Sequence, residues 1–397
     1  MKKRILFVSH ALELGGAERA LIALLDALDP EKYDVDLFLL RHQGELLENI
    51  PSHIRLLPEL PSYTCLAQPF RDTLKKRQFG VALGRAAGKF RAKQFLAAHP
   101  SSLESGVSLE YSHKYTKAFM PQISTQPYDL AVSFLTPHYF VAEKVQARIK
   151  AAWIHTDYSA LHIDAASELS MWAAYDRIIS ISDRCTQSFS DRFPSLKGRI
   201  VQIENLLSPG LIRQEAEKGG APEMQRSGIK LLSVGRFCAA KNFDNVPDIC
   251  RRLRVQGLDV HWFLIGFGGD EALIRSRIAE AGMGEHVSIL GKRSNPYPYM
   301  AACDLYVQPS RYEGNCVSVH EAQILGKPVV ITNYATSSSQ LEDGADGVIV
   351  PMDNEGCAAG IAALLRAPER MAQLAQTCRQ RDFSNRQGVC KLYKMIG

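Results

Sequence analysis

Two carboxylates eight positions apart, Glu313 and Glu321, frame the part of the chain richest in chemistry: Arg311, Tyr312, Glu313, Gly314, Asn315, Cys316, Val317, Ser318, Val319, His320 and Glu321. Gly314 and Asn315 suit a sharp turn. Residues 316–325 then read as one short amphipathic helix, closed by Gly326 with Pro328 just beyond. A helix opened this way points unbonded backbone amides and a positive dipole end at whatever lies in front of it. A phosphate is the natural occupant, with Asn315, Cys316, Val317 and Ser318 as its candidate cradle. Glu321 falls about one turn in, on the face of Val317 and Ser318, where a carboxylate can accept two hydrogen bonds from a ribose diol. Glu313 sits before the helix, on the far side of the phosphates. The combination reads as a nucleotide-sugar site.

The pair alone is expected about once by chance in a chain of this length, so the flanks carry the weight. Upstream, Asn295, Pro296, Tyr297, Pro298 and Tyr299 precede Ala302, Cys303, Asp304, Leu305, Tyr306, Val307, Gln308, Pro309 and Ser310. Downstream, Gly326, Lys327, Pro328, Val329, Val330, Ile331 and Thr332 open a strand. This run resembles the donor-binding core of the retaining glycosyltransferases of the GT-B fold, in the large group called family 4. It departs from the usual pattern in carrying Asn315 and Cys316 where the family has an apolar residue or glycine.

That resemblance implies two Rossmann-like domains facing each other across a cleft, with ligands at the carboxyl ends of the strands. It places Arg236 and Lys241, in the loop after residues 230–234, on the donor diphosphate. The physics fits: arginine offers a planar fork and lysine a compact charge, so together they neutralise a diphosphate leaving group without metal. By the same resemblance His155, directly after a strand, reaches the hydroxymethyl end of the donor sugar. Glu313 balances the oxocarbenium-like centre, and Lys292 contacts the edge of the base. Gly16 lets the chain approach the donor phosphate or acceptor closely. The implied activity is retaining transfer from a nucleotide-diphosphate sugar, a UDP-sugar rather than GDP-mannose. The implied acceptor is a glycan or lipid-linked glycan of bacterial surface-polysaccharide assembly, with neither cofactor nor metal. The alternatives are an inactive nucleotide-sugar-binding partner of another transferase, or a same-fold epimerase; matched Arg236, Lys241, Glu313 and Glu321 argue against an inactive partner.

The rest of the chain is consistent with such a scaffold. Its 397 residues suit two domains of ordinary size, and 46% hydrophobic with 22% charged residues describes a soluble globular protein. Apolar runs are strand-sized, and the one at residues 5–8 is too short for a signal peptide. Nine cysteines are scattered without metal-ligand or disulfide spacing, which suits a reduced, cytoplasmic protein. Strand-like and helix-like segments alternate throughout, so the class is α/β with parallel sheets. The expected division is a first domain over residues 1–210, a Pro- and Gly-bearing linker over 211–228, a nucleotide-sugar domain over 229–370, and a helical segment over 371–397 that crosses back to the first domain.

Three other features were weighed. Gly266, Phe267, Gly268, Gly269, Asp270 and Glu271 hint at a dinucleotide fingerprint, but the third glycine is replaced by Glu271. Asp34 and Asp36 superficially match a metal-holding carboxylate pair, yet they read as the solvent face of a strand start. Residues 70–97 hold eight basic side chains between Arg71 and Lys93 against Asp72 alone, interleaved with Phe70, Leu74, Phe79, Leu83, Phe90 and Phe95. Such a segment is either a helix whose apolar side packs on the first domain or a peripheral contact with an anionic membrane. No nucleic-acid-binding motif accompanies the charge.

Overall fold

The computed structural model describes every residue except Met1, Leu14, Ser102, Thr136, Pro137 and Gly314, so the turn expected at Gly314 lies partly outside the described residues. Two compact units result: Met1–Leu206 with Asn385–Gly397, and Leu207–Ser384.

The first unit is built on strands β1 (Lys3–Ser9), β2 (Tyr33–Leu39), β3 (Ile54–Leu56), β4 (Glu104–Ser105), β5 (Tyr128–Ser133), β6 (Ala147–Ile154), β7 (Leu161–His162), β8 (Arg177–Ser180) and β9 (Ile200–Gln202). Seven form one parallel sheet in the order β3-β2-β1-β5-β6-β8-β9, while β4 and β7 pair separately. The second unit has one six-stranded parallel sheet made of β10 (Ile229–Val234), β11 (Val260–Ile265), β12 (Val287–Gly291), β13 (Leu305–Gln308), β14 (Val329–Thr332) and β15 (Val348–Val350). Its order is β12-β11-β10-β13-β14-β15. Alternate residues of these strands feed opposite faces. Leu231, Leu264, Val307 and Val330 enter one core; Leu232, Phe263, Tyr306 and Ile331 enter the other. Both faces are therefore buried, as the near-continuous apolar runs of the strands require.

In each sheet the winding direction reverses once. The chain moves outward from β1 to β2 and β3, then returns to β5 on the other side; it repeats this at β10 and β13. Crossover loops diverge at such a switch point and leave a crevice at the carboxyl ends of the two strands.

Three expectations change. Residues 211–228 are not a loose linker. Ser208 caps a helix Pro209–Glu217 by accepting from the Leu211 amide, and Ile212 and Met224 are buried in the second unit's core. The return to the first unit begins at Asn385 rather than at 371, since Leu374 and Cys378 of the helix Pro368–Gln380 are buried within the second unit. The last helix, Gly388–Ile396, buries Leu392 and Ile396 and stacks Tyr393 on Tyr33 at 4.7 Å. Finally, Asp36 is 3% exposed rather than solvent-facing. It takes a bidentate pair from Arg55 (2.7 Å each) and a hydrogen bond from the Tyr128 hydroxyl at 2.7 Å. It is a structural anchor between β2, β3 and β5.

The run from Gly266 to Glu271 also has a structural purpose. Gly235 donates to the Ile265 carbonyl (3.0 Å) and Phe237 to the Phe267 carbonyl (2.8 Å), zipping the loop after β10 to the turn after β11. A Cβ on Gly266 would lie 1.9 Å from the Gly235 carbonyl oxygen, and one on Gly268 2.2 Å from that of Phe237. Only glycine permits this approach. Gly266→Ala is therefore expected to destabilise the protein by about 2 kcal/mol or more in denaturant unfolding; an unchanged midpoint would show that the two loops are not tightly zipped.

Candidate active site

The crevice of the second unit lies at the carboxyl ends of β10 and β13, and both loops there carry cations. Arg236 stands between the two zipped residues Gly235 and Phe237, exposed, with no hydrogen bond or ion pair among the described residues. Five residues on, the short turn Ala239–Lys241 ends at Asn242, held in the left-handed region at φ +60°, a conformation asparagine tolerates better than most residues. The Lys241 stem lies against Gly235, where a Cβ would be 3.1 Å from its Cε. Arg311, after β13, pins this turn: it grips Asp244 bidentately at 2.8 and 2.9 Å, and its amide donates to the Ala240 carbonyl.

The consequence is a buried ion pair. Lys241 Nζ donates to Glu313 Oε1 at 2.6 Å, with the two side chains only 17% and 11% exposed. Ser310 Oγ donates to the same oxygen at 2.6 Å, leaving Oε2 without a partner among the described residues. Lys241 Nζ also lies 3.5 Å from Cys316 Sγ. Burial by itself lowers the ammonium's pKa, but the Glu313 carboxylate outweighs it and holds the group charged. Burial raises the Cys316 thiol, which stays protonated.

The helix Val317–Ile324 begins beside this pair, with Cys316 at its cap. Gln340 Oε1 accepts from the Cys316 amide (2.7 Å) and Thr336 Oγ1 donates to the Glu313 carbonyl (2.8 Å), so residues 336–340 fix the entry to the helix. Val317 and Ser318 are half-buried, and as the first helical residues their amides have no preceding turn to bond. Ser318 Oγ donates to the Val234 carbonyl at the end of β10, and Asn315 is half-buried before the cap. Glu321 is on the same helix but 2% exposed, its Oε1 accepting from the Tyr297 hydroxyl at 2.7 Å. Lys292 follows β12 and lies 5.5 Å from the ring of Phe267, an aromatic left 53% exposed after β11.

The remaining two candidates belong to the first unit. Gly16 opens the helix Gly16–Asp26 after β1, and the space beside its Cα is empty. His155 follows β6 with its ring stacked on Trp153 at 6.0 Å and close to Phe134 at 4.5 Å. Neither ring nitrogen has a hydrogen-bond partner among the described residues, and burial pulls its pKa down to about 3, so the imidazole is neutral at ordinary pH. It lines a cavity of about 160 Å³ together with Glu110, His138, Trp153, Glu168 and Trp172. Burial lowers His138 to about 3 as well, raises Glu110, and raises Glu168 to about 7. The cavity is thus aromatic, with His138 and His155 neutral and its two carboxyls pushed toward their protonated forms.

Arg236, Lys241, Glu313, Cys316, Val317 and Ser318 therefore converge, with Glu321 buried behind them and Lys292 along the same sheet edge. Sequence reasoning gave no role to Ser310, Asp244, Thr336, Gln340 or Tyr297, whose hydroxyls, amide and carboxylate position the convergent set. Nor did it find Glu110, His138 and Glu168. Among the described residues no cluster of His, Cys, Asp and Glu is placed to hold a metal ion.

Two parallel-sheet α/β units, each with a switch-point crevice, have the architecture of the GT-B glycosyltransferases. Comparison with known proteins supports that class. Residues 216–381 match the family described as glycosyl transferases group 1. The amylovoran biosynthesis glycosyltransferase AmsK of Erwinia amylovora is 28% identical over 145 residues, 34% of this chain and 35% of that one. The alpha-D-kanosaminyltransferase of Streptomyces kanamyceticus is 24% identical over 206 residues, covering 50% and 53%. A Campylobacter jejuni N-acetylgalactosaminyltransferase, whose name specifies a diphospho-undecaprenol-linked saccharide, is 31% identical over 126 residues, covering 32% and 34%. This chain therefore spans between a third and about half of the length of these curated relatives. Similarity of structure extends further: Anabaena HepE, solved with UDP-glucose, aligns over 99% of this chain and 100% of its own with TM-score 0.66 at 18% identity. S. aureus TarM, solved with UDP, aligns over 100% of both with TM-score 0.68 at 13% identity.

The Glu168 carboxyl yields a pH test. Its folded pKa of about 7 lies above the usual value of 4.5, so the stability it contributes is present below about pH 4.5 and lost as pH rises through 7. Glu168→Gln keeps an acceptor for the Trp172 indole, which donates to Glu168 at 3.0 Å, and removes the titration. Between pH 5 and 8 the variant should gain about 2–3 kcal/mol on the wild type in denaturant unfolding; parallel pH profiles would contradict the buried, protonated carboxyl.

Proposed function

We propose that the protein is a retaining, metal-independent glycosyltransferase. It moves a sugar from a nucleotide-diphosphate donor to a hydroxyl of a glycan or lipid-linked glycan in bacterial surface-polysaccharide assembly. The observation that carries the reading is the Lys241–Glu313 pair at the mouth of the helix Val317–Ile324, beside the unpaired Arg236. Two cations and a helix N-terminus converging at a switch-point crevice favour an anion of about two charges, which is what a departing nucleoside diphosphate presents.

In this mechanism the bond between the anomeric carbon and the diphosphate oxygen breaks as the acceptor hydroxyl oxygen bonds to that carbon from the same face, its proton passing to the departing diphosphate oxygen. Negative charge builds on the leaving oxygen, and Arg236, Lys241 and the Val317 and Ser318 amides stabilise it in a fixed geometry. Glu313 has two tasks. Its Oε1 holds the Lys241 ammonium in place; its Oε2 accepts from a hydroxyl of the donor sugar and offsets positive charge at the anomeric carbon. Glu321 orients the ribose from behind the helix, Lys292 and Phe267 meet the base, and Gly16 leaves room for the diphosphate or acceptor. His155, neutral in its aromatic cavity, serves as a hydrogen-bond partner for a sugar hydroxyl rather than as a cation. An aromatic cavity whose histidines are neutral favours a neutral saccharide over an anionic ligand.

A UDP-sugar is favoured over GDP-mannose because structures sharing this fold were solved with UDP or UDP-glucose, and the lipid-linked acceptor is favoured by the Campylobacter relative. Arg236→Ala and Lys241→Ala are each expected to lower turnover on the order of 100-fold, through lost stabilisation of the leaving group. The check is UDP release from UDP-sugars in the presence of lipid-linked saccharide extracts, with product analysis to separate transfer from epimerisation. Unchanged turnover in either variant would remove that residue from the diphosphate site.

A further inference from the structure

The basic segment after residue 70 packs in an unexpected sense. The helix Phe79–Ala98 turns its small side chains inward: Val81, Gly84, Gly88 and Ala92 are buried, with Gly84 and Gly88 against the helix Val107–Thr116. Three of its large apolar side chains face solvent, while Phe95 and Leu96 at its end pack on Val107 and Tyr111. Phe79, Leu83 and Phe90 are 63%, 64% and 62% exposed, and their i, i+4, i+11 spacing puts them on one stripe opposite the two glycines. Ala86 is exposed on the same stripe, and Phe70 and Leu74 are exposed on the preceding helix Phe70–Lys75. This is the reverse of what a helix covering a core would show.

Cations surround the stripe. Arg71, Lys76, Arg77, Lys89 and Lys93 are exposed and have no carboxylate partner among the described residues, whereas Arg85 turns inward to the Cys65 carbonyl and Thr73. Eight basic residues against Asp72 make a local charge of +7 in a chain whose net charge is +5, so the remainder is slightly acidic.

We infer that residues 70–98 dock the first unit on the surface of an anionic phospholipid bilayer. The Phe79, Leu83 and Phe90 side chains enter the boundary between headgroups and acyl chains, and Lys76, Arg77, Lys89 and Lys93 meet lipid phosphates. Charge complementarity and the outward apolar stripe together select this occupant. A second copy of the chain would set like charges against each other across a twofold contact. Nucleic acid would satisfy the cations but leave Leu83 and Ala86 without a stacking partner.

The test is flotation of the full chain with vesicles of phosphatidylcholine alone or containing phosphatidylglycerol. The wild type should float only with the anionic vesicles, and less as salt rises. A variant carrying Lys76→Gln, Arg77→Gln, Lys89→Gln and Lys93→Gln should lose about tenfold or more of its bound fraction. A variant carrying Phe79→Ser, Leu83→Ser and Phe90→Ser should bind only at low salt. Because these side chains are exposed, both variants should keep the wild-type unfolding midpoint, which separates lost docking from lost folding. The inference is overturned if the wild type floats equally with both vesicles or with neither. It is also overturned if the charge variant floats undiminished, if RNA strips the protein from vesicles, or if light scattering shows that the serine variant dissolves a dimer.

Discussion

The second unit is organised around one cation placed where it should not be comfortable. Lys241 is largely buried beside the cap of a helix whose N-terminus is itself electropositive, so its ammonium is stable only because Glu313 lies 2.6 Å away. Everything near the crevice maintains that contact. Ser310 fixes the carboxylate, Arg311 and Asp244 lock the turn that carries the lysine, Thr336 and Gln340 hold the chain between Glu313 and the helix, and the glycine-bearing turn after β11 secures the loop of Arg236. A single carboxylate does not balance a lysine, a free arginine and a helix dipole. The site is left positive.

The same economy of design recurs in the first unit with the opposite electrostatic outcome. There the residues beyond β6 line a cavity in which burial drives two histidines and two carboxyls toward their neutral forms. One unit thus offers a cationic crevice and the other an aromatic cavity with neutral histidines. That division suits chemistry in which a charged leaving group and a neutral saccharide must be handled separately.

How much of this was legible in the sequence follows from what each signal depends on. Buried parallel strands announce themselves as apolar runs, so β1, β10, β11 and β14 were read within a residue or two. The three-residue edge strands β3 and β9 carry no such run. The helix Pro209–Glu217 overlaps the expected linker because Gly219, Gly220 and Pro222 just beyond it suit a loop. Ser208 before a proline at the first helical position is in fact a start signal. The basic segment left two readings open for another reason: apolar periodicity shows which residues share a face, not whether that face is buried, and here Gly84 and Gly88 make the packing contact. Within the site, the chemically reactive residues were legible from spacing, and their supports were not. Arg311 with Asp244, or Glu321 with Tyr297, are contacts between segments that only the folded topology brings together.

The central claim is that the crevice of the second unit binds a nucleoside diphosphate. The most direct measurement is the unfolding midpoint of the wild type with UDP, GDP, ADP, CDP and dTDP, alongside Arg236→Ala, a variant whose lost side chain is exposed and makes no hydrogen bond or ion pair among the described residues. A nucleotide at about 100 times its dissociation constant adds roughly 2.7 kcal/mol, enough to raise the midpoint by several degrees. The account predicts such a rise with UDP, and a markedly smaller one in the variant. No rise with any nucleotide, or an equal rise in both proteins, would contradict it.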